Sequence, residues 1–281
     1  MKFIATIVFF SSFYSYSQVI DGVVKDSKTK TPLPYVHVGV FNKNLGVLSN
    51  DSGNFTIDVS KADRNDILQA SMIGYETSKL TLTDIKSGRI EILLEPKIYS
   101  LKEIIIRPRK IVVTELGRTE PSKWTTGQSG QKEFGFGAER GLQIIVPKGK
   151  KFRVIDARFH LRFNTVDSIL FRVNVYSLKN GLPDESLLVK DAFAKSKKND
   201  KWIICDLEDQ DLTLDKNVAI TYEIVRWWFN KGDNEIFLTH GTGYKEGGTY
   251  YRLSSQDEWK TDSNFASFPV TMFLSTEEVK E

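Results

Sequence analysis

The sequence has one cysteine, Cys205, and eight prolines among 281 residues. A single cysteine excludes an intrachain disulfide, so the fold must be held together by core packing. Because Cys205 lies in the predicted strand 201–207 and follows the apolar residues Trp202, Ile203 and Ile204, we expect a small buried side chain there and not a reactive thiol.

The sequence also lacks a large excess of positive or negative charge. Thirty-nine Lys and Arg residues face thirty-six Asp and Glu residues, which leaves a formal net charge of +3. Such a balance creates no strong field for nucleic acid or an anionic membrane. Hydrophobic residues at 40% and aromatic residues at 12% are values of a globular protein. The length predicts one large or two ordinary domains.

Long apolar runs are absent. The longest begins after Lys2 and covers 3–10, followed by a Ser- and Tyr-rich stretch. One positive charge, a short apolar run and small residues at Ser15 and Ser17 are typical of a secretory signal peptide. We predict a signal peptide at 1–17, cleaved between Ser17 and Gln18. The alternative is a retained anchor, but a membrane span needs about 20 apolar residues. No transmembrane span is expected after cleavage.

From residue 18 onward, short β-branched and aromatic runs end at Gly, Pro, Asn or Asp. This pattern predicts an all-β fold, since each run has the length of one strand and no helical periodicity appears. The first seven predicted strands are 19–24, 35–41, 46–49, 54–59, 67–72, 79–83 and 90–94. They make one domain of residues 18–97, a small β-sandwich.

Four motifs in this domain carry a resemblance to a known family. They are Gly22-Val23-Val24-Lys25-Asp26, Thr31-Pro32-Leu33-Pro34-Tyr35-Val36-His37-Val38, Ser49-Asn50-Asp51-Ser52-Gly53-Asn54-Phe55 and Ile73-Gly74-Tyr75. In this order and spacing they resemble the carboxypeptidase-regulatory-like domain. The resemblance implies a transthyretin-like, or prealbumin-like, sandwich of about seven strands. It also implies the cell envelope of a Gram-negative bacterium, because outer-membrane transporters of the TonB-dependent class often carry this domain.

Neither transport nor peptidase activity follows from the resemblance. Only about 175 residues remain after Arg107, too few for a plug and a transport barrel. A zinc carboxypeptidase needs a His-x-x-Glu pair and a second histidine. The three histidines, His37, His160 and His240, are followed three residues later by Val40, Phe163 and Gly243. We therefore predict no catalytic residue of that class.

The rest of the chain predicts a linker and a second sandwich. Residues 98–130 are polar and weakly periodic apart from one strand at 101–106, and we assign them to the linker. Strand patterns return over 131–281, at 140–146, 151–163, 168–177, 201–207, 218–228, 235–238, 250–253 and 270–274. This spacing favours a jelly-roll-like β-sandwich. Parts of it resemble a C-terminal module of unknown function that accompanies the regulatory-like domain in exported bacterial proteins.

Aromatic residues and one histidine of the second domain are the candidate ligand-binding residues. They are Trp227, Trp228, His240, Tyr244, Tyr250 and Trp259. Flat side chains stack on the apolar faces of sugar rings, so a carbohydrate site is one interpretation. The alternative, which we favour, is packing within the core and between the domains. Trp227 and Trp228 are neighbours and cannot both point inward from one strand.

A run of acidic residues is a weak candidate for a metal site. Asp206, Glu208, Asp209 and Asp211 offer the oxygen ligands that calcium prefers. The run lacks the glycine and the regular ligand spacing of a calcium loop, so a solvated turn is the favoured interpretation. We predict no metal and no cofactor.

These observations lead to three hypotheses about function. The first is an exported, non-enzymatic accessory protein of the cell envelope, in the periplasm or at the outer-membrane surface, that binds a protein partner and no nucleic acid. The second is a carbohydrate-binding protein that uses the aromatic residues of the C-terminal sandwich. The third is a hydrolase with a cleft in which two carboxylates face each other at a separation of about 5 to 10 Å.

Overall fold

The structure is a computed structural model that describes residues 19–85, 89–98, 112–121, 124–129, 136–228, 238–242, 248–262 and 270–279. These ranges contain strands and two short 3₁₀ helices but no α-helix, which confirms the predicted all-β fold class. They hold no helix with the length and hydrophobicity of a membrane span. The predicted signal peptide, its cleavage site at Ser17 and Gln18, and the predicted strand 101–106 lie outside the described residues.

Seven strands form the first domain, in the places where the sequence predicts them. They are β1 (Val19–Asp26), β2 (His37–Val40), β3 (Gly46–Leu48), β4 (Asn54–Asp58), β5 (Ile67–Ser71), β6 (Ser78–Thr81) and β7 (Arg89–Leu94). One sheet has the order β4-β1-β7 and the other β3-β2-β5-β6. Alternate side chains of β1 and β4, such as Ile20, Val24 and Ile57, are buried in the core between the sheets, as expected for strands with one covered face.

The remaining strands form the second domain and the segment before it. They are β8 (Val113–Gly117), β9 (Trp124–Ser129), β10 (Glu139–Ile144), β11 (Phe152–His160), β12 (Ser168–Lys179), β13 (Leu182–Ser186), β14 (Ala192–Lys197), β15 (Trp202–Asp206), β16 (Thr213–Leu214), β17 (Val218–Trp228), β18 (Leu238–Thr242), β19 (Thr249–Arg252), β20 (Lys260–Asp262) and β21 (Met272–Glu278). A seven-stranded sheet runs β13-β12-β17-β10-β19-β20, with β14 paired to β12, and a five-stranded sheet runs β15-β11-β21-β8, with β16 paired to β11.

The core of the second domain lies between these two sheets. Phe159 of β11 stacks on Tyr222 of β17 with ring centroids 4.4 Å apart, and Phe171 of β12 meets both rings edge-on. Burial raises the pKa of Cys205 to about 12, because the thiol is 1% exposed in this core. The thiolate form is therefore disfavoured, in agreement with the structural role that the sequence predicts for Cys205.

The segment predicted to be a linker contains two strands that the sequence pattern does not reveal. β8 pairs with β21, so residues 113–117 belong to the five-stranded sheet of the second domain. β9 pairs with β18 in a separate two-stranded sheet. Both segments are polar and rich in Thr, Ser or Gly, and only their partners, distant in sequence, favour an extended backbone.

The domains dock through the outer face of β2 and β3. The backbone of β3 approaches the second domain so closely that a Cβ added to Gly46 would lie 1.9 Å from the carbonyl oxygen of Ser255. A Cβ on Gly39 would lie 2.5 Å from the same atom. Glycine is required at both positions, since any side chain would push the domains apart. The Asn42 amide also donates to the carbonyl of Gln256 at 2.9 Å.

Candidate ligand-binding cavity at the domain junction

Four charged side chains form a row across the larger sheet of the second domain. They lie on the neighbouring strands β12, β17, β10 and β19, where the pairing register sets Arg172 beside Glu223, Glu223 beside Glu139, and Glu139 beside Arg252. We call these four residues the charge row. Each is at most 9% exposed. Buried charges are tolerated only when they are paired and hydrogen-bonded, and the alternation of strand side chains brings all four to the same face.

His37 of the first domain covers the middle of the charge row. Its Nε2 lies 2.8 Å from Oε1 of Glu223, and its Nδ1 lies 3.1 Å from Nη2 of Arg252. Because a guanidinium can only donate, Nδ1 must accept, and the ring proton sits on Nε2 and is donated to Glu223. Both ring nitrogens of His37 are therefore used in holding the domains together.

Glu139 receives hydrogen bonds from several directions. Thr221 Oγ1 donates at 2.6 Å, Asn174 Nδ2 at 3.1 Å and the Tyr176 hydroxyl at 3.1 Å, all to Oε2. Nη2 of Arg252 donates to the other oxygen. Burial, followed by the Glu139 carboxylate, raises the pKa of Tyr176 well above its usual value. The phenol therefore stays protonated and remains a donor.

Arg172 connects the charge row to two further groups. It donates to Glu223 at 3.0 Å and to the carbonyl of Tyr35 in the first domain at 2.6 Å. Its Nε lies 3.2 Å from a carboxylate oxygen of Asp191. Burial opposes the positive charge, but Asp191 and Glu223 outweigh it and raise the pKa of Arg172. Arg172 is thus a permanent cation between two carboxylates.

The pKa values of the two acids beside Arg172 are shifted in opposite directions. Burial raises the pKa of Asp191, and the negative charge of Glu223 adds to that effect against the opposing influence of Arg172. Burial acts on Glu223 in the same direction, but His37, Arg172 and Arg252 together lower its pKa to about 2. Glu223 is therefore ionised at neutral pH, and the environment of Asp191 disfavours its charge.

A cavity of about 610 Å³ opens above the charge row, between the two domains. Its buried floor is formed by His37, Arg172, Asn174, Arg252 and Gln256, and its walls come from both domains. The volume falls in the range of small-molecule sites, about 300 to 1,000 Å³. Such sites often lie at domain interfaces.

The first domain supplies β2 and β5 to this cavity, and it is the part of the chain that a known family covers. Residues 20–106 match the model of the CarboxypepD_reg-like domain. The first domain is a CarboxypepD_reg-like domain. This confirms the resemblance that the sequence motifs indicate. No curated protein matches the sequence. The match ends before the second domain, which supplies the charge row that the CarboxypepD_reg-like domain covers.

Of the predicted ligand-binding aromatic residues that the structure describes, one lines the cavity. Trp259, partly buried, forms part of its wall. Trp227 packs against the core of the second domain and against Phe136, with centroids 4.8 Å apart. Tyr250 is 3% exposed and belongs to the same domain's interior. These two residues follow the packing interpretation that the sequence left open.

Trp228 lies apart from the cavity, between two cations. Lys195 Nζ is 4.9 Å and the Arg226 guanidinium carbon 5.0 Å from its ring centroid. Its neighbour Trp227 faces the core, so the two tryptophans point to different surroundings, as the strand period requires. The backbone of His240 lies in β18, and Tyr244 lies outside the described residues.

The acidic run after β15 is a turn with local partners. Asp206 accepts a hydrogen bond from the Glu208 amide at 2.9 Å, and Asp209 pairs with Lys190 at 2.5 Å. Asp211 ends the 3₁₀ helix of Glu208–Gln210 with a φ of 46°. Asp tolerates left-handed backbone better than most residues, since its side chain can bond locally.

Three ligand-type side chains do converge elsewhere, in the charge row. His37, Glu139 and Glu223 place one ligand atom each within 4.8 Å of one another. Each of them already binds an arginine: Oε1 of Glu223 accepts from Arg172, and Nδ1 of His37 and Oε1 of Glu139 accept from Arg252. A divalent cation would have to approach two permanent guanidinium charges, so the group fits arginine binding better than metal binding.

The charge row was not among the candidates that the sequence indicates. The alternation in β12 assigns Arg172, Asn174 and Tyr176 to one polar face, which a single sandwich would leave in water. The structure covers that face with the CarboxypepD_reg-like domain. The sequence does carry a signal: Glu223 is the one charged residue in the mostly apolar stretch 218–225 of β17, and a charge in such a stretch indicates a buried partner.

Proposed function

We propose that the protein is an exported, non-enzymatic binding protein of the Gram-negative cell envelope, and that its ligand occupies the cavity at the domain junction. The observation that carries the proposal is the cavity of about 610 Å³ whose walls come from both domains. The signal pattern at 1–17 and the CarboxypepD_reg-like domain support the envelope setting.

The state of the ionisable groups favours binding over catalysis. Glu139 is 0% and Glu223 1% exposed, and both are committed to arginine partners. Both nitrogens of His37 are engaged as well. A general acid or base must reach the reacting atoms and exchange its proton. The side chains of the charge row are engaged with one another and with His37, so they hold the two domains in one arrangement and are not free to transfer a proton to or from a substrate.

The proposal covers two classes of ligand. A segment of an envelope protein is the first, supported by the kind of domain that forms one wall. A glycan is the second candidate, and the position of Trp259 in the wall favours it.

Site-specific photocrosslinking tests the proposal. A photoreactive residue replaces Thr77, which is exposed and lines the cavity, or Lys216, which is exposed in a loop of the second domain. Each protein is irradiated in envelope extracts and the adducts are identified. We expect a defined envelope protein or glycan from position 77 and none from position 216. Recovery of the same abundant proteins from both positions would contradict the proposal.

A further inference from the structure

The residues that line the cavity indicate which chemical class of ligand it binds, provided that the cavity is the binding site as proposed above. Three buried polar atoms of the lining residues have no hydrogen-bond partner within the described part of the chain. Nε of Arg172 faces a carboxylate oxygen of Asp191 at 3.2 Å; the other two are Nε of Arg252, a donor, and Oε1 of Gln69, an acceptor. Arg252 as a whole is 9% exposed. Buried polar groups are normally paired, so these two atoms indicate a ligand that both accepts and donates.

The charges at the rim indicate a ligand without net charge. Lys97 is exposed on one side, and Asp184 and Glu185 are exposed on β13. An anion would satisfy Arg252 but would meet the two rim carboxylates and leave the Gln69 acceptor unpaired. A cation would meet Arg172 and Arg252 at the floor. A hydroxyl group both donates and accepts, so hydroxyls can pair with both atoms without placing a net charge in the cavity.

Trp259 adds a flat apolar surface to these polar groups. The guanidinium carbon of Arg252 lies 4.9 Å from its ring centroid, and the Tyr176 ring meets it edge-on at 5.5 Å. The indole is thus held in one orientation by two neighbours. A rigid aromatic ring beside paired donors and acceptors suits a ring that is apolar on its face and polar at its edge.

We propose that the cavity binds a short neutral saccharide, whose ring stacks on Trp259 and whose hydroxyls pair with Arg252 and Gln69. The glutamine belongs to the first domain and the other two residues to the second, so the sugar contacts both domains. Their joint contribution requires the docked arrangement that the charge row maintains.

Isothermal titration with the full chain tests this inference. The probes are neutral di- and trisaccharides of glucose, mannose and N-acetylglucosamine, a diuronate as the anionic control, and a neutral tripeptide. We expect saturable binding of at least one neutral saccharide and none of the diuronate. Trp259→Ala should weaken binding about tenfold or more, since stacking on one aromatic ring contributes at that level. Trp259→Phe should retain part of the affinity, and Trp228→Ala, outside the cavity, should retain all of it.

Two further measurements separate a binding defect from misfolding. The chain has five tryptophans, and the indole N–H signal that disappears from the NMR spectrum in Trp259→Phe should be the one that shifts when saccharide is added to the wild type. Thr77→Trp should block binding by filling the cavity from its exposed edge while the melting temperature stays unchanged. A shift of a different indole signal, or full affinity in Thr77→Trp, would overturn the assignment.

The outcomes also distinguish this inference from the proposed function. If the tripeptide binds and no saccharide does, the saccharide proposal is wrong. The same conclusion follows if crosslinking from position 77 recovers an envelope protein and no sugar binds. In both cases the cavity remains a binding site, and only the class of ligand changes. If neither crosslinking nor titration finds a ligand, both proposals fail.

Discussion

His37 of the first domain donates a hydrogen bond from Nε2 to Oε1 of Glu223 in the second domain, over 2.8 Å and between side chains that are almost fully buried. The residues are far apart in sequence, yet this contact fixes how the two sandwiches face each other. The other ring nitrogen accepts a hydrogen bond from Arg252. One side chain of the first domain is therefore hydrogen-bonded to one acidic and one basic side chain of the second domain.

Replacing His37 by alanine is predicted to destabilise the docked chain. The change leaves Oε1 of Glu223 with Arg172 as its remaining donor and leaves one N–H of Arg252 without an acceptor. Uncompensated buried polar or charged groups cost about 2–5 kcal/mol. We expect a lower melting temperature and faster amide exchange in β2 and in residues 252–257. His160→Ala is the matched control, because His160 lies on the opposite sheet beside Trp202. An equal loss in both variants would contradict the role assigned to His37.

Gly46→Ala is predicted to separate the domains without unfolding them. Its Cβ would meet the Ser255 carbonyl at 1.9 Å, and the backbone on both sides must move, at a cost of about 1–3 kcal/mol. Small-angle scattering should show a larger radius of gyration, and circular dichroism should show an unchanged β content. In Gly248→Ala the added methyl group has nothing within 4 Å, so this variant should scatter like the wild type.

The sequence predicts the strands whose own pattern is strong. All seven strands of the first domain appear in the structure, because each has apolar residues on alternate positions and a turn signal at its end. β13, β14, β16 and β20 are missed in the second domain, as are β8 and β9 before it. These segments are short or rich in Lys, Asp and Ser, and their pairing partners decide their conformation.

The candidate site depends on information that one strand does not contain. Trp259 could be named as an aromatic residue of the second half, but its place in the cavity follows from the docking of a separate domain. In the sequence, Arg172 belongs to the polar face of its strand, and Glu223 is a charge in a mostly apolar stretch. Only the pairing register of the two strands shows that these side chains lie side by side. The sequence pattern predicts which side chains share a face of each sheet. Whether another domain covers that face depends on the tertiary structure and is not visible in the pattern.

Glu223→Gln is predicted to be less stable than the wild type at neutral pH, with a difference that shrinks in acid. The surrounding positive groups lower the pKa of Glu223 from 4.5 to about 2 in the folded state. A lowered pKa contributes stability that is present above the unfolded value and is lost as the pH falls through the folded value. Denaturant unfolding of both proteins between pH 7 and pH 2.5 should show the gap narrowing below about pH 4.5.

The control for that experiment is Glu208→Gln, which removes an exposed acid outside the charge row. We expect its stability to follow that of the wild type at every pH. A gap for Glu223→Gln that stays constant down to pH 2.5 would show that the loss comes from altered packing and not from the charge.

For Asp191→Asn, the stability relative to the wild type is predicted to change with pH in the opposite direction. Burial raises the pKa of Asp191 above 3.8, with the nearby Glu223 acting in the same direction. For an acid with a raised pKa, folding favours the protonated form, so its ionisation costs stability as the pH rises above the unfolded value. Asparagine is uncharged at all pH values and similar in shape. The stability of the Asp191→Asn variant relative to the wild type should therefore increase from pH 3 to pH 7, whereas the relative stability of Glu223→Gln should decrease over the same range. Measuring both variants by denaturant unfolding in the same buffers tests the assignment directly, because a general effect of weakening the Arg172 ion pairs would give both curves the same direction.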